Sequence, residues 1–217
     1  MTTTRPRALL VYKKSMYQLY AVDRRIAEID RLIAARDPGV SALIAAHRAH
    51  AAALKTTDAA LRASGYEVNR TYRAGLDTVT GFELVVTVGG DGTLLDVSHH
   101  VGPHIPLLGV NSDPARSVGL LMAARADSVA EILDAIRRRR LRPRPVTRLE
   151  LELNGEPLPV LALNDVLIAH SNPAATSRYQ LTVGRRREDQ KSSGIWIAGA
   201  IGSSAALFSA GGALMPL

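Results

Sequence analysis

One stretch of the sequence decides the fold and suggests the chemistry: VTVGGDGT at residues 86–93. The apolar run at residues 82–88 predicts a buried strand, and residues 94–100 can form the helix that follows. Three glycines between them let the backbone approach a ligand closely and expose its N–H groups. Phosphate groups fit such a turn, above all where a helix N-terminus follows. A carboxylate repels phosphate, so we expect Asp91 to orient a hydroxyl, accept its proton or hold a metal ion.

The composition is that of a globular protein. The chain has 217 residues, enough for one large domain or two small ones, of which 47% are hydrophobic and 22% charged. It has no cysteine, which excludes disulfides and thiolate metal sites and fits a reducing compartment. No apolar stretch approaches the roughly 20 residues of a membrane helix, so we expect a cytoplasmic protein without a membrane partner.

The net charge of +7 is compatible with several polyanionic partners. Nucleic acid, a membrane surface or a polyanionic small molecule would all be attracted. The arginines at 137–140 fit solvated cations at a helix C-terminus, and no aromatic residues interleave with them, which argues against nucleic acid. The histidine pairs His47 with His50 and His99 with His100 predict a helix surface rather than a metal site.

Strands alternate with helices over the first two thirds of the chain. Predicted strands cover residues 8–13, 67–70, 82–88 and 106–110, and predicted helices cover residues 22–35, 40–63 and 128–139. This order indicates an α/β fold, a doubly wound parallel sheet. Ligands bind beyond the carboxyl ends of the strands in such sheets, where the turns at 89–93 and 111–114 are expected.

The pattern changes at the proline-rich linker 142–145. Short apolar or alternating runs then predict strands at 148–153, 160–169, 179–183 and 195–198, with Asn154-Gly155 as a hairpin turn. We expect an α/β domain over residues 1–142 and a β-rich domain over residues 146–217. Because the chain ends directly after a glycine-rich segment, we expect the β-rich domain to be truncated.

Two further polar segments and one segment of small residues are candidates for the same site. Asn111 follows a predicted strand, where it forms an Asx turn or lines the cleft. Asn164 and Asp165 interrupt an apolar run, so they occupy a strand end or bulge, or they bind a nucleotide base and ribose. The small residues at 191–194 and 202–212 fit either a surface that a planar ligand approaches or a flexible tail.

In this order the segments resemble the NAD kinase family. The family pattern reads here as GGDGT at 89–93, GVN at 109–111, Asn164-Asp165, and GSS at 202–204 with SAGG at 209–212. The variants NSDPARS at 111–117 and QKSSG at 190–194 are similar to the mitochondrial-type branch and its bacterial relatives. Diacylglycerol kinases, sphingosine kinases and phosphofructokinases share the GGDGT loop or a near variant, so the ordered set is the specific signal.

The resemblance implies a fold, a reaction and a set of site residues. It implies two domains with a cleft between them, and phosphoryl transfer from ATP to the 2′-hydroxyl of the adenosine ribose of NAD. Asp91 would face that hydroxyl as the catalytic residue. The phosphate- and nucleotide-binding residues would be Gly89, Gly90, Gly92, Thr93 and Asn111, and the NAD-binding residues Asp91, Gly92, Asn164, Asp165 and Ser204. Mg²⁺ would be held by phosphate oxygens without protein ligands, and the family commonly forms homo-oligomers.

Other functions stay open from the sequence alone. A lipid kinase of the diacylglycerol type shares the glycine loop but leaves Asn164-Asp165 without a purpose. A non-catalytic nucleotide-binding protein would keep the turns and lose the reaction. An RNA-binding module is suggested by the net charge only.

Overall fold

The computed structural model describes residues 5–216 and divides into two compact units, one ending at Pro143 and one beginning at Arg144. Residues 1–4 and 217 of the two predicted domains lie outside the described residues. The first unit is called the N-terminal unit below and the second the C-terminal unit.

A five-stranded parallel sheet forms the centre of the N-terminal unit. Its strands are β1 (Arg7–Tyr12), β2 (Glu67–Tyr72), β3 (Leu84–Gly89), β4 (Leu107–Asn111) and β5 (Ala124–Arg125). They lie side by side in the order β2-β1-β3-β4-β5, and every neighbouring pair is parallel. The two-residue β5 was not predicted, because a pair of residues carries no alternation to recognise.

Helices cover both faces of this sheet. They are α1 (Ala27–Ala34), α2 (Pro38–Ala63), α3 (Asp91–Ser98) and α4 (Val129–Arg137), and a π-helical turn (Gln18–Asp23) and a 3₁₀ turn (Arg73–Gly75) complete the unit. Ala8 and Leu10 belong to one apolar cluster with α2 and α4, whereas Leu9 and Val11 belong to a second cluster with α3. Successive residues of β1 therefore bury opposite faces, and the doubly wound α/β prediction is confirmed.

Helix α2 ends at Ala63, as predicted, and begins at Pro38, two residues before the predicted start. The Asp37 carboxylate caps it by accepting a hydrogen bond from the Gly39 N–H at 2.8 Å, and Pro38 occupies the first turn. Gly65 follows the helix at a φ of +89°, the left-handed conformation that a glycine adopts freely. The expectation of surface histidines on α2 is wrong for His50, which is only 5% exposed.

The arginines at the end of α4 are largely paired. Arg137, Arg138 and Arg140 all contact the Asp134 carboxylate, at distances between nitrogen and oxygen of 2.8–3.0 Å. The hydrogen bonds from Arg138 and then Arg137 lower the pKa of Asp134 to about 2. These pairs are exposed and add little stability, but they fix the arginines at the C-terminal end of the helix, as expected.

The C-terminal unit consists of antiparallel strand pairs. They are β6 (Glu152–Leu153) with β7 (Glu156–Pro157), β8 (Asp165–Ile168) with β11 (Ile195–Ala198), and β9 (Ser177–Val183) with β10 (Arg186–Ser192). A 3₁₀ turn (Gly202–Ser204) and the short helix α5 (Ala206–Ser209) follow. Antiparallel strands here agree with the predicted β-rich half. No helix within residues 5–216 is long and apolar enough to cross a membrane.

Details of these strands differ from the prediction. The hairpin turn is confirmed, since Asn154 and Gly155 connect β6 to β7 with φ angles of +54° and +84°. The strand predicted over 160–169 begins only at Asp165, and the residues before it contribute one isolated bridge, from Leu149 to Ala162. Strand β10 was missed because its sequence, RREDQKS, is polar on both faces.

Candidate functional site

The glycine turn joins β3 to α3 at the carboxyl edge of the sheet. Strand β3 ends at Gly89, Gly90 caps the helix in an extended conformation, and α3 begins at Asp91. The register pairs Gly89 with Asn111 at the end of β4, and the Ser112 N–H donates to the Gly89 carbonyl at 2.9 Å. The two turns expected at this edge are therefore direct neighbours.

Close packing explains why residue 89 is a glycine, whereas a side chain at residue 92 would meet open space. A Cβ on Gly89 would overlap the side chain of Thr93, which is itself 2% exposed. Thr93 is thus a packing element of the turn. Gly92 is exposed and has no atom within 4 Å of the position that a Cβ would occupy. Of the turn's three glycines, Gly92 is the one with open space at its Cβ position.

The Asp91 carboxylate holds the segment that follows β4. Its Oδ2 accepts a hydrogen bond from the Leu120 N–H at 3.0 Å, and its Oδ1 accepts one from the Leu121 N–H at 2.9 Å. Gly119 allows this approach with a φ of +66°, where a Cβ would lie 2.5 Å from Asn111 Nδ2. Because each carboxylate oxygen has a second lone pair, Asp91 can still accept a hydrogen bond from a ligand hydroxyl.

The buried Asn111 side chain makes hydrogen bonds to the segment that follows β4. Its side chain is 3% exposed, donates from Nδ2 to the Ser117 carbonyl at 2.9 Å, and accepts at Oδ1 from the Asp113 N–H at 3.0 Å. Both ends of the amide are therefore used within the loop, as in the Asx turn that the sequence left open. The structure gives Asn111 a positioning role beside Asp91, with one hydrogen bond to the loop from each end of its buried amide.

The predicted site residues of the C-terminal unit lie close together. Asp165 is the first residue of β8, and its Oδ2 accepts a hydrogen bond from the Ala206 N–H at 3.2 Å. The half-buried Asn164 precedes it, and its backbone lies where a Cβ of Gly202 would be. Asn164-Asp165 thus occupies a strand start, one of the positions considered from the sequence.

Two adjacent serines of the GSS segment have different surroundings. Ser203 is 1% exposed, and its Oγ donates to the Ala200 carbonyl at 2.7 Å and accepts from the Met215 N–H at 3.0 Å. Ser204 is exposed, and its Oγ donates to the Ile201 carbonyl at 3.4 Å. Ser204 is therefore the hydroxyl that a ligand can reach.

Sequence reasoning missed the residues that hold Asp91. The contacts come from the backbone N–H groups of Leu120 and Leu121, and a backbone donor leaves no mark in side-chain identity. Gly119 was the one available signal, since an isolated glycine after a polar turn suggests a positive φ.

The sequence-family model of the ATP-NAD kinase N-terminal domain matches residues 22–140 of the chain. The chain belongs to the NAD kinase family. A probable NADH kinase of Oryza sativa subsp. japonica is 41% identical over 62% of this chain and 48% of its own length. NAD kinase 2, mitochondrial, of Rattus norvegicus is 29% identical over 92% of this chain and 59% of its own length. The chain spans about half the length of the curated relatives it matches.

A solved structure shows the same fold. The crystal structure of an NAD kinase from Archaeoglobus fulgidus in complex with ATP matches with a TM-score of 0.61 and 24% sequence identity. The match covers 96% of this chain and 67% of that chain. Membership of the NAD kinase family and this likeness agree with the family resemblance drawn from the four motifs.

We expect the glycine turn to tolerate a methyl group at one position and not at another. Gly89→Ala forces a Cβ into buried Thr93 and should lower the free energy of unfolding by about 1–3 kcal/mol. Gly92→Ala meets no atom in the first turn of α3 and should leave stability unchanged or raise it by up to about 1 kcal/mol. Urea unfolding of both variants measures the difference, and equal losses would contradict the packing described here.

Proposed function

We propose that the chain acts in an NAD kinase, transferring a phosphoryl group from ATP to the 2′-hydroxyl of the adenosine ribose of NAD. One observation carries this proposal: Asp91 stands at the carboxyl end of β3, in a glycine turn of a chain that belongs to the NAD kinase family. The ordered set of four motifs supports it further. The plant and rat relatives bear the names NADH kinase and NAD kinase, which supports a nicotinamide dinucleotide as the acceptor.

In the proposed reaction Asp91 orients the ribose hydroxyl. Two backbone N–H groups hold its carboxylate in place, which leaves one lone pair on each oxygen for the hydroxyl proton. An aspartate is a weak base at neutral pH, and a loose phosphoryl-transfer transition state does not need early deprotonation. The proton therefore passes to Asp91 late, as the bond between the ribose oxygen and the γ-phosphorus forms and the bond from that phosphorus to the leaving ADP oxygen breaks.

The remaining residues divide between phosphate binding and NAD binding. The backbone of Gly89, Gly90 and Gly92 holds phosphates, and Asn111 keeps the loop beside Asp91 in position. Asn164, Asp165 and Ser204 are proposed to bind NAD. Ser204 is exposed and Asp165 has one oxygen without a described partner, which supports this assignment.

A divalent cation is proposed to enter with the donor. Within residues 5–216 no three His, Asp or Glu side chains lie close enough together to hold a metal ion. We propose that Mg²⁺ is bound mainly by phosphate oxygens, which is how proteins commonly hold this ion. The absence of cysteine supports a reducing compartment such as the cytoplasm.

A homo-oligomer is proposed only because members of the family commonly form one. Light scattering of the purified chain checks this.

The test is formation of NADP. The purified chain is incubated with ATP and Mg²⁺ and either NAD or NADH, and the phosphorylated product is quantified by chromatography. We expect product from at least one acceptor. Diacylglycerol vesicles, offered as an alternative acceptor, should give none.

Two outcomes would point elsewhere. Phosphorylated lipid without NADP would favour the lipid kinase. Calorimetric binding of NAD without any product would favour a non-catalytic nucleotide-binding protein, in which Asp91 only clamps the segment around Gly119.

A further inference from the structure

A cluster at the end of β1 adjoins the glycine turn and is used by none of the roles above. It consists of Lys13, Ser15, His47 and His50 and is called the β1-edge cluster. We propose that Lys13 and His47 bind the terminal phosphate oxygens of the nucleoside triphosphate donor, held in position by Ser15 and His50. This inference rests on the proposed function, because it assigns the donor's subsite within it.

The sheet register places the cluster beside the glycine turn. Tyr12, the last residue of β1, pairs with Val88, so the chain that follows β1 lies next to the chain that follows β3. Helix α2 reaches this edge as well. This helix runs back from the carboxyl end of β1 to the start of β2. Because its 26 residues span about 39 Å and a six-residue strand spans only about 20 Å, α2 is longer than the sheet is deep. The N-terminal half of α2 therefore lies at the ligand-binding edge of the sheet.

The hydrogen bonds of Ser15 favour one tautomer of His47. Ser15 Oγ lies 2.8 Å from His47 Nδ1 and accepts a hydrogen bond from the Gln18 N–H at 3.1 Å. Ser15 is 7% exposed, and its hydroxyl needs an acceptor, which Nδ1 can provide. Donation from Ser15 to Nδ1 satisfies the hydroxyl and leaves His47 with its proton on Nε2. His47, which is half-buried, thus presents an N–H donor on the side away from Ser15.

His50 anchors Lys13 through the backbone. Its Nε2 donates to the Lys13 carbonyl at 2.7 Å, and the side chain is 95% buried. Its Nδ1 is buried and has no hydrogen-bond partner among the described residues. Burial lowers the pKa of His50. The hydrogen bond to the Lys13 carbonyl raises this pKa, the charges of Lys13 and His47 lower it, and the charge of Asp113 raises it, with burial the largest effect. A neutral His50 is therefore a fixed support for the segment that carries Lys13.

The two adjacent lysines differ in what they contact. The Lys14 ammonium pairs with the Asp23 carboxylate at 2.7 Å and lies 5.1 Å from the centre of the Tyr72 ring. Lys13 is half-buried as a residue, and its ammonium makes no ion pair within residues 5–216. Lys13 is thus the cation of this segment whose charge remains available to a ligand.

The chemistry of the cluster favours an anion over a metal ion or a covalent step. Lys13 Nζ and His47 Nε2 are both donors, which match phosphate oxygens, and neither has a lone pair for a metal ion. No metal-binding group of His, Asp or Glu residues occurs in the described part of the chain. Ser15 is buried and hydrogen-bonded on both sides, so it does not reach a ligand as a nucleophile.

The test measures binding rather than turnover. Calorimetry with the non-hydrolysable analogue β,γ-imido-ATP, with inorganic tripolyphosphate and with NAD is run on the parent chain and on Lys13→Met and His47→Leu. We expect each variant to bind both triphosphates at least about tenfold more weakly, the usual effect of a lost charge-assisted hydrogen bond, and to bind NAD within about twofold of the parent. The matched controls are Lys55→Met on the exposed part of α2 and His104→Leu in the exposed loop before β4, which should leave all three affinities unchanged.

A second measurement tests the positioning role of Ser15. In the parent chain, ¹⁵N NMR of the imidazoles should show His47 unprotonated at Nδ1. Ser15→Ala should redistribute that proton between the two nitrogens and weaken β,γ-imido-ATP binding about threefold to tenfold. A protonated Nδ1 in the neutral parent would contradict the assignment.

The outcomes separate this inference from the proposed function. Triphosphate binding that is absent, or that is unaffected by both Lys13→Met and His47→Leu, overturns the subsite whether or not NADP is formed. Triphosphate binding that depends on both residues supports the subsite even if no NADP is formed, and in that case the kinase proposal fails alone. Circular dichroism melting of every variant confirms that the weakened binding is not unfolding.

Discussion

Asp91→Asn should lower the kcat for NADP formation by at least about 100-fold, the range expected when a positioned proton acceptor is removed. The substitution also disturbs the segment that Asp91 holds. An amide offers one oxygen and one NH₂ group, so it can accept from only one of the Leu120 and Leu121 N–H groups and opposes the other with a donor. We therefore expect a rise in KM for NAD together with the fall in kcat, measured by steady-state assay of NADP.

Asp96→Asn is the matched control for this prediction. Asp96 lies on the same helix, five residues after Asp91, and makes a surface pair with Arg73 at 3.6 Å. Its loss should change kcat less than about twofold, because an exposed pair contributes little. An Asp91→Asn variant that keeps near-parental kcat would refute the orienting role, and an equal loss in Asp96→Asn would trace the effect to α3 stability.

The N-terminal half of the fold was predictable because its signals are local and strong. A run of buried apolar residues broken by glycines identifies β3, and the helical spacing of residues 40–63 identifies most of α2. The β-rich half was less predictable. A polar strand such as β10 is defined by the partner it pairs with, and pairing is not encoded in its own periodicity.

The sequence supplies candidate residues for the site but not the contacts that those residues make. The sequence points to Asn111, but only the structure shows that both ends of its amide make hydrogen bonds within its own loop. His50 was expected on a helix surface, because an Ala-rich helix has a weak apolar face and gives little indication of which side is buried. The chain after β1 covers His50, and that contact spans 37 residues of sequence.

Gly202→Ala should have the second largest effect, and it acts on the C-terminal unit. A Cβ at Gly202 would overlap the carbonyl group of Asn164, which is backbone and cannot rotate away as a side chain can. The 3₁₀ turn must move away from β8, and this strains the hydrogen bond from the Ala206 N–H to Asp165. We expect unfolding to become easier by about 1–3 kcal/mol and NAD affinity to fall about tenfold or more.

Gly199→Ala provides a control only three residues away. A Cβ there would meet the Thr147 carbonyl at 3.9 Å, an ordinary van der Waals contact, so stability and NAD affinity should both stay near parental values. Urea unfolding and calorimetry of the two variants separate a local clash from general sensitivity of the segment. NAD affinity that survives Gly202→Ala in a folded chain would mean that the junction of Asn164 with the 3₁₀ turn does not bind the dinucleotide. Asn164 and Asp165 would then be elements of strand packing, the alternative that the sequence left open.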